Sequence, residues 1–584
     1  MGFFLLIKKV NNDIIFRDLR SKIMKEKLRA HRKLIDVFII LLVCFFFIIP
    51  MFKNVDVYKD DGIQHIARAY GTRLEFENTI FPNVISSFTN GFGYSWNLFY
   101  GPSTAYAMAL ISLFTGNFIN AYKVLAFICF ALSGITMYKF MYAVSKNNNT
   151  SLLASVLYLA FPYHLTDLYI RNALGEFVSF AFIPLVFLGL YNMFYTEDKT
   201  HYLVIGAVGL IITHNLSTLF VAVFAMFFVI LNLIKLQDKQ ILKKFIMSII
   251  LILLLSSFYW VPFIETSLFT NYQVYQDGMM GTKEDFLNSR LNITQLFVTK
   301  NDGSFVFELG PHIIIMLALS LLGFRKIDDD KKELHLFCVI SAILSTLMAT
   351  KIFPWGIFPK EIAMIQFAWR FLMMAGFFLS VVCALNVSVI IKKFNIKDVL
   401  VISIITIGYT CAFIGYVTYD DNIVDINNHN LGIMSGKEIE TVAGTAKAEY
   451  LPVNAYENRF YIASRDSEVF TLQGKAIITN QKKENGKLEA KLETLDAEYT
   501  IFELPYIYYP GYKVTLDGRI QDYFETENGF IGIVMVANDN ATLEVEYVGT
   551  QLMGVSLFIS CITLIGMFGY GIKNRLKKPV TLEK

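Results

Sequence analysis

Asp60-Asp61-Gly62-Ile63-Gln64-His65-Ile66-Ala67-Arg68 gathers two carboxylates, an imidazole and a guanidinium into one short stretch. In a helix, Asp61, His65 and Arg68 recur at i, i+4 and i+7 and share one face. Asp61, with Asp60 second, is the candidate catalytic carboxylate. His65 is its orienter or merely a neighbour, and Arg68 is an anion-binding group. On residue type alone, a solvated acidic loop end suits the two aspartates equally well. Four more polar places flank apolar runs. They are Arg171 with Glu176; Thr213-His214-Asn215; Tyr259-Trp260-Val261-Pro262 with Glu265; and Gln366-Phe367-Ala368-Trp369-Arg370. Ionisable groups at membrane depth are costly, which makes them functional candidates. Arg171 and Arg370 suit snorkelling to headgroups and binding of a substrate phosphate equally. His214-Asn215 reads more readily as a helix cap, and Glu265 as a helix end. A hard divalent cation, Mg or Mn, on Asp60, Asp61 and phosphate oxygens fits better than a cage of His65, His164, His214 and His312, whose spacings match no ligand pattern. The sequence carries no Walker A, GxSxG or HExxH motif, and no GxGxxG in the required context.

The elements that must position these residues are membrane helices. At 55% hydrophobic, 15% aromatic and 17% charged residues, with a mean hydropathy of +0.48, the chain of 584 residues has too little polar surface for an ordinary soluble protein. The net charge of +3 gives no sign of a nucleic-acid partner. Apolar segments fall at 34–52, 102–116, 121–143, 151–170, 177–195, 202–216, 217–236, 243–263, 311–324, 334–351, 368–391, 397–419 and 550–572, thirteen in all. Residues 1–33 carry ten Lys/Arg against three Asp/Glu, and the tail 573–584 is also basic, so both ends are assigned to the cytoplasm. Two cytoplasmic ends demand an even number of crossings. At least one segment is therefore re-entrant or two are miscounted, most readily between 102 and 176.

Loops 235–244 and 392–398 are basic and cytoplasmic, whereas 264–308 and 420–549 are acidic and assigned outside. The first outer loop is 53–101. Its run from Phe81-Pro82 through Gly91-Phe92-Gly93-Tyr94 to Phe99-Tyr100-Gly101-Pro102 suits an ordered loop at the membrane surface. Trp96, Trp260, Trp355 and Trp369 then fall near the outer rim, and every polar place above opens to that same face. All six cysteines lie in apolar segments, so no disulfide framework is implied. From 420 to 549 the pattern changes to period two, as in Ala541 to Val548, with turn signals at Tyr509-Pro510-Gly511-Tyr512 and Leu516-Asp517-Gly518-Arg519. This predicts an extracytoplasmic β-sandwich-like domain, followed by a final transmembrane helix at 550–572.

In these residues the chain resembles bacterial polytopic proteins of the YfhO type, grouped in part as 6-pyruvoyl-tetrahydropterin-synthase-related, which look like GT-C glycosyltransferases. The resemblance rests on several stretches. Asp61-Gly-x-x-His-x-x-Arg68 comes first, with the aromatic loop ending in Tyr100 and Pro102. Arg171-Asn-Ala-Leu-Gly-Glu176, His214-Asn215-Leu216, Gln366-Phe-x-Trp-Arg370 and Ala448-Glu449-Tyr450-Leu451-Pro452 follow, then Tyr509-Pro510-Gly511-Tyr512 with Asp517-Gly518. It runs from about 34 to 572. After Phe81-Pro82, where relatives tend to carry a basic residue, this chain has Asn83, so Arg68, Arg171 or Arg370 would serve in its place. The family implies an α-helical polytopic membrane protein of GT-C-like fold, in the plasma membrane, with 34–419 as its membrane domain. It implies sugar transfer from a polyprenyl-phosphate donor to a cell-surface glycan such as a teichoic acid. Arg68, Tyr100, Arg171, Glu176, His214, Asn215, Gln366 and Arg370 would bind substrate, an apolar groove would hold the lipid, and the β-domain would hold the acceptor. The alternative from another class is a non-catalytic transporter or binding protein for lipid-linked glycans.

Overall fold

The computed structural model describes residues 31–52, 60–196, 199–297, 307–391, 393–419, 448–495, 498–536 and 540–577. Most of the basic N-terminus, residues 53–59 of the first loop, the acidic start of the C-terminal region and the end of the tail lie outside them. In chain order the main helices are α1 (His31–Phe52), α2 (Gly62–Glu75), α3 (Ser103–Thr115), α4 (Phe118–Ser145), α5 (Asn148–Leu159), α6 (Pro162–Tyr169) and α7 (Leu174–Thr196). Then come α8 (His201–Ile211), α9 (Asn215–Leu231), α10 (Lys239–Phe269), α11 (Pro311–Gly323), α12 (Asp329–Met348), α13 (Ala368–Ile390), α14 (Ile396–Tyr419) and α15 (Gln551–Lys577).

Among the described residues, seven helices are long and apolar enough to cross a membrane: α1, α4, α7, α10, α13, α14 and α15. The remaining expected segments are shorter or interrupted, and the sequence contains the reasons. Segment 151–170 divides at Phe161-Pro162, where proline opens α6 but cannot continue α5. Segments 202–216 and 217–236 meet at Thr213-His214, where α8 ends and α9 begins. Segment 334–351 belongs to α12, whose first turn carries Asp329 and Asp330. Within the bundle, α7 and α13 are central, 94% and 83% buried along their apolar windows, while α10 and α15 are peripheral at 28% and 17%. These two outer helices hold each other through serines: Ser257 Oγ lies 2.9 Å from Ser560 Oγ and donates to Ser556 O.

The C-terminal region forms two antiparallel sheets. Its strands are β1 (Phe470–Gln473), β2 (Ala476–Glu484), β3 (Lys487–Thr494), β4 (Tyr499–Ile507), β5 (Tyr512–Leu516), β6 (Arg519–Ile520), β7 (Phe524–Glu525), β8 (Phe530–Val536) and β9 (Asn540–Tyr547). One sheet runs β1-β4-β8-β7 and the other β2-β3-β9-β5-β6. The period-two pattern has its physical counterpart in β3, where burial alternates residue by residue and Leu488, Ala490 and Leu492 face the core. The expected hairpin at Asp517-Gly518 joins β5 to β6, with positive φ at both positions. Asn485-Gly486 does the same between β2 and β3.

The aromatic loop after α2 is part of this β-region's core. Ile85, Phe88, Phe92, Tyr94, Trp96 and Phe99 share one apolar cluster with Phe502, Leu504, Tyr509, Ile531 and Val545. Tyr450 stacks on Phe99 with ring planes parallel and centroids 4.9 Å apart, and its backbone N–H donates to Tyr94 Oη. The loop's other end is fixed to the helix bundle at Gly101. A Cβ there would come within 2.5 Å of the Thr213 backbone, so the approach requires glycine. Ser103 N–H then donates to the Ile212 carbonyl, one of the groups left open where α8 stops.

Candidate functional site

Asp61 occupies the N-cap of α2, yet its carboxylate makes no capping hydrogen bond. It faces Arg171 instead, with Oδ2 3.9 Å from Nη2, and its backbone N–H donates to the Arg171 carbonyl. It is thus paired with a buried arginine while its side chain stays 41% exposed to solvent. Arg171 is 2% exposed and bonds Asp167 Oδ1 at 2.5 Å, Glu176 Oε2 at 2.9 Å and Tyr163 Oη at 3.2 Å. Tyr163 also donates to Glu176 Oε1 at 2.6 Å. Arg370 approaches Glu176 from α13, its Nε 3.5 Å from Oε2, and donates from Nη1 to Gln366 Oε1 at 2.8 Å. Gln366 sits at φ +66°, a strained backbone for a non-glycine residue that holds its side chain beside Arg370.

A ladder of rings leads from this cluster along α2. His65 meets Tyr100 edge-on at 6.0 Å, Tyr100 meets His214 at 5.7 Å, and the Arg68 guanidinium lies 4.9 Å from the Tyr100 ring centre. Arg68 Nε donates to Asn97 Oδ1 and Nη2 to the carbonyls of Tyr100 and Gly101. Among the described residues its buried Nη1 finds no hydrogen-bond acceptor, nor does Arg370 Nε. Burial pushes the His65 imidazole down to about 4, with Asp61 opposing and Arg68 reinforcing, so it is neutral at pH 7. A neutral His65 can orient or accept but adds no positive charge.

The expected residues therefore divide. Asp61, His65, Arg68, Tyr100, Arg171, Glu176, His214, Gln366 and Arg370 form one chain of contacts. Asn215 turns away: its Nδ2 donates to the Phe99 carbonyl and its Oδ1 accepts from Tyr259, so it clamps the aromatic loop. His214 is the helix cap that its sequence suggested, accepting from Ser217 N–H at Nδ1, but its ring also borders Tyr100. Asp60 is exposed next to Asp61, at φ +42°. Arg171 and Arg370 do not snorkel; both are buried among protein groups. Asn83 is remote from the ion cluster, its Nδ2 3.4 Å from Met553 Sδ.

Sequence reasoning missed Asp167, Tyr163 and Trp369 as parts of the site. The i, i+4 spacing of Asp167 and Arg171 across the end of α6 was a legible signal. Trp369 is no rim anchor: it is 4% exposed and lies under the Arg171 guanidinium at 4.6 Å. Trp96 and Trp355 are buried likewise, at 6% and 4%. Chemically, the cluster offers one half-exposed carboxylate, Asp61 at 41%, against a wall of buried charges in which Asp167 and Glu176 are 0% and 2% exposed.

Residues 98–418 match the family described as the 6-pyruvoyl-tetrahydropterin synthase related domain of membrane proteins, and this span is more than half of the chain. It takes in Tyr100, Arg171, Glu176, His214, Gln366 and Arg370. The chain belongs to this family. An uncharacterized protein of Lactococcus lactis subsp. cremoris (strain MG1363) is 25% identical over 295 residues, which make up 47% of this chain and 46% of that relative. The match thus spans about half the length of the relative. The family establishes a membrane protein, in agreement with the seven long apolar helices.

Proposed function

We propose that the protein is a GT-C-type glycosyltransferase of the plasma membrane. It would transfer a sugar from a polyprenyl-phosphate-linked donor to an extracytoplasmic acceptor such as a teichoic acid or another cell-surface glycopolymer. The observation that carries this reading is a half-exposed, non-capping Asp61 in a cluster whose buried Arg68 and Arg370 each keep one nitrogen without a hydrogen bond. Asp61 takes the proton of the acceptor hydroxyl as its oxygen attacks the anomeric carbon. The bond from that carbon to the phosphate oxygen breaks, and the polyprenyl phosphate leaves with the electron pair.

The new charge on the phosphate needs N–H groups already aimed at it. Arg171 is occupied by protein carboxylates, so its part is to fix Glu176 and the backbone of Asp61. Arg370 and Arg68 are the phosphate-binding groups, and Tyr100, His65 and His214 line the space between them. Asp60 and Asp61 would hold a Mg or Mn ion together with donor phosphate oxygens, and the ion would offset the negative charge of the leaving phosphate. Among the described residues no set of three or more His, Cys, Asp or Glu is arranged to hold an ion by itself.

The lipid tail has a matching place. A cavity of about 650 Å³ between α11, α12 and α13 is lined by Leu317, Val339, Ile343, Leu379 and Val382. Its wall includes Leu309, two residues from Phe307, which stacks on Trp369 at 4.7 Å. An apolar chain there would bring its phosphate toward Arg370.

The deciding experiment compares cell-envelope glycans of wild-type and Asp61→Asn strains. Decoration is expected to vanish while the variant stays folded in the membrane fraction. Unchanged decoration would remove Asp61 from the chemistry. Radiolabelled lipid-linked sugar that redistributes across vesicles, with no product bond formed, would support the transporter alternative instead.

A further inference from the structure

At the opposite end of α2 from Asp61, a second cavity of about 430 Å³ opens where four elements meet: the C-terminal end of α2, the β-region, α10 and α15. Its size falls within the ~300–1,000 Å³ of small-molecule sites. Tyr106, Tyr259, Tyr506, Tyr512 and Tyr547 line it. Several of these rings are held by their own hydroxyls. Tyr506 donates to the Gly486 carbonyl, Tyr106 to the Pro82 carbonyl and Tyr259 to Asn215 Oδ1. Between the rings stand the amides of Asn78, Asn83, Asn97 and Asn485.

The charges are few. Glu75, Glu546 and Lys487 line the cavity, and Lys487 is paired with Glu546 at 3.0 Å. One carboxylate is left in excess, held by Ser86 N–H and Oγ–H on Glu75 Oε1. This lining leaves no unpaired lysine or arginine of its own for a phosphate. It suits a neutral polyhydroxylated ligand, whose C–H faces pack on the negative faces of the tyrosine rings while amides and carboxylate take its hydroxyls.

We infer that this cavity binds a neutral carbohydrate chain through its tyrosine and asparagine walls. The fourteen residues of α2, at ~1.5 Å each, put the Glu75 end of the cavity about 20 Å from Asp61. A monosaccharide cannot touch both places, but a polymer can. The cavity therefore holds a neutral acceptor glycopolymer, rather than a phosphate-bearing teichoic acid, some units away from its reacting hydroxyl. The word acceptor rests on the transfer reading; the binding claim stands on its own.

Gly554 offers a clean way to close the cavity. It lines the space from α15, and a Cβ built on it meets nothing within 4 Å, so a larger residue can enter without displacing backbone. Protein in nanodiscs would be titrated with maltotriose, cellotriose and chitotriose, and separately with glycerol phosphate, using saturation-transfer NMR and calorimetry. At least one neutral trisaccharide is expected to bind and glycerol phosphate to bind at least 10-fold more weakly. Gly554→Phe is expected to weaken the sugar at least 10-fold and Asp61→Asn to leave it unchanged. No binding by any trisaccharide overturns the inference, as does binding that Gly554→Phe leaves intact or that prefers glycerol phosphate. Sugar binding together with full decoration in an Asp61→Asn strain would break the transfer reading and leave this one standing.

Discussion

Two clusters of buried charge invite comparison, one around Arg171 in the helix bundle and one around Glu503 in the β-region. Glu503 accepts from Arg465, Tyr461, Thr526 and Asn528, so both carboxylate oxygens are used. Arg465 spends its remaining donors on the carbonyls of Asp466 and Glu503 and lies against Phe92, Phe470 and Phe530. Both residues are wholly buried. The bundle cluster is equally buried but unfinished: Asp167 Oδ2, Arg370 Nε and Arg68 Nη1 make no hydrogen bond among the described residues, and Asp61 reaches solvent. A closed network fixes structure, whereas one with spare donors beside an open carboxylate has capacity for a substrate.

Breaking the closed network should have the largest effect on folding. Glu503→Ala leaves the Arg465 charge buried without a partner and is expected to cost about 3–5 kcal/mol, read as a lowered unfolding midpoint and protease-sensitive β-region. Next, Arg370→Lys keeps a charge but loses the planar fork. Transfer is expected to fall ~10-fold or more with little shift in the midpoint. An Arg370→Lys protein that unfolds like Glu503→Ala would erase the distinction between the clusters.

A smaller effect comes from Lys483, which ties the aromatic loop to β4 by donating to the carbonyls of Gly91 and Pro505. Burial, and then the Arg465 charge, pull its ammonium down to about 7 from the usual 10.5, against the two carbonyls and the Tyr506 ring, 4.3 Å away, that favour it. Between those values the unfolded chain holds the proton and the folded one releases it. Stability should therefore rise with pH above 7, by at most ~1.4 kcal/mol per unit. Thermal scans of wild type from pH 7 to 9, compared with Lys483→Met, would read it; a flat wild-type profile would show the lysine stays charged. Smallest is Tyr94→Phe, which removes the hydroxyl that accepts from Tyr450 N–H and should cost about 1 kcal/mol without altering glycan decoration.

Much of this was legible locally. Period-two alternation located β9, the Asp517-Gly518 turn located its hairpin, and the i, i+4, i+7 spacing put Asp61, His65 and Arg68 on one helix. These signals depend on neighbours within a few residues. The number of long spans was not legible, because apolar composition cannot tell a crossing helix from a shorter one ended by Pro162 or by the polar break at Thr213. Nor could tryptophan content tell a rim residue from Trp369, packed beneath Arg171.

The sequence by itself determined which residues could carry charge and chemistry in an apolar chain, since isolated ionisable groups there stand out against their surroundings. Tertiary structure alone decided their roles. Arg171 and Arg370 look equivalent in sequence, but a guanidinium's function depends on which of its donors its neighbours have already taken. Those neighbours come from α6, α7 and α13, distant in the chain. The same holds for the aromatic loop 81–102, which reads as a membrane-surface segment and proves to be part of the β-region's core. Its rings are buried by residues more than three hundred positions away.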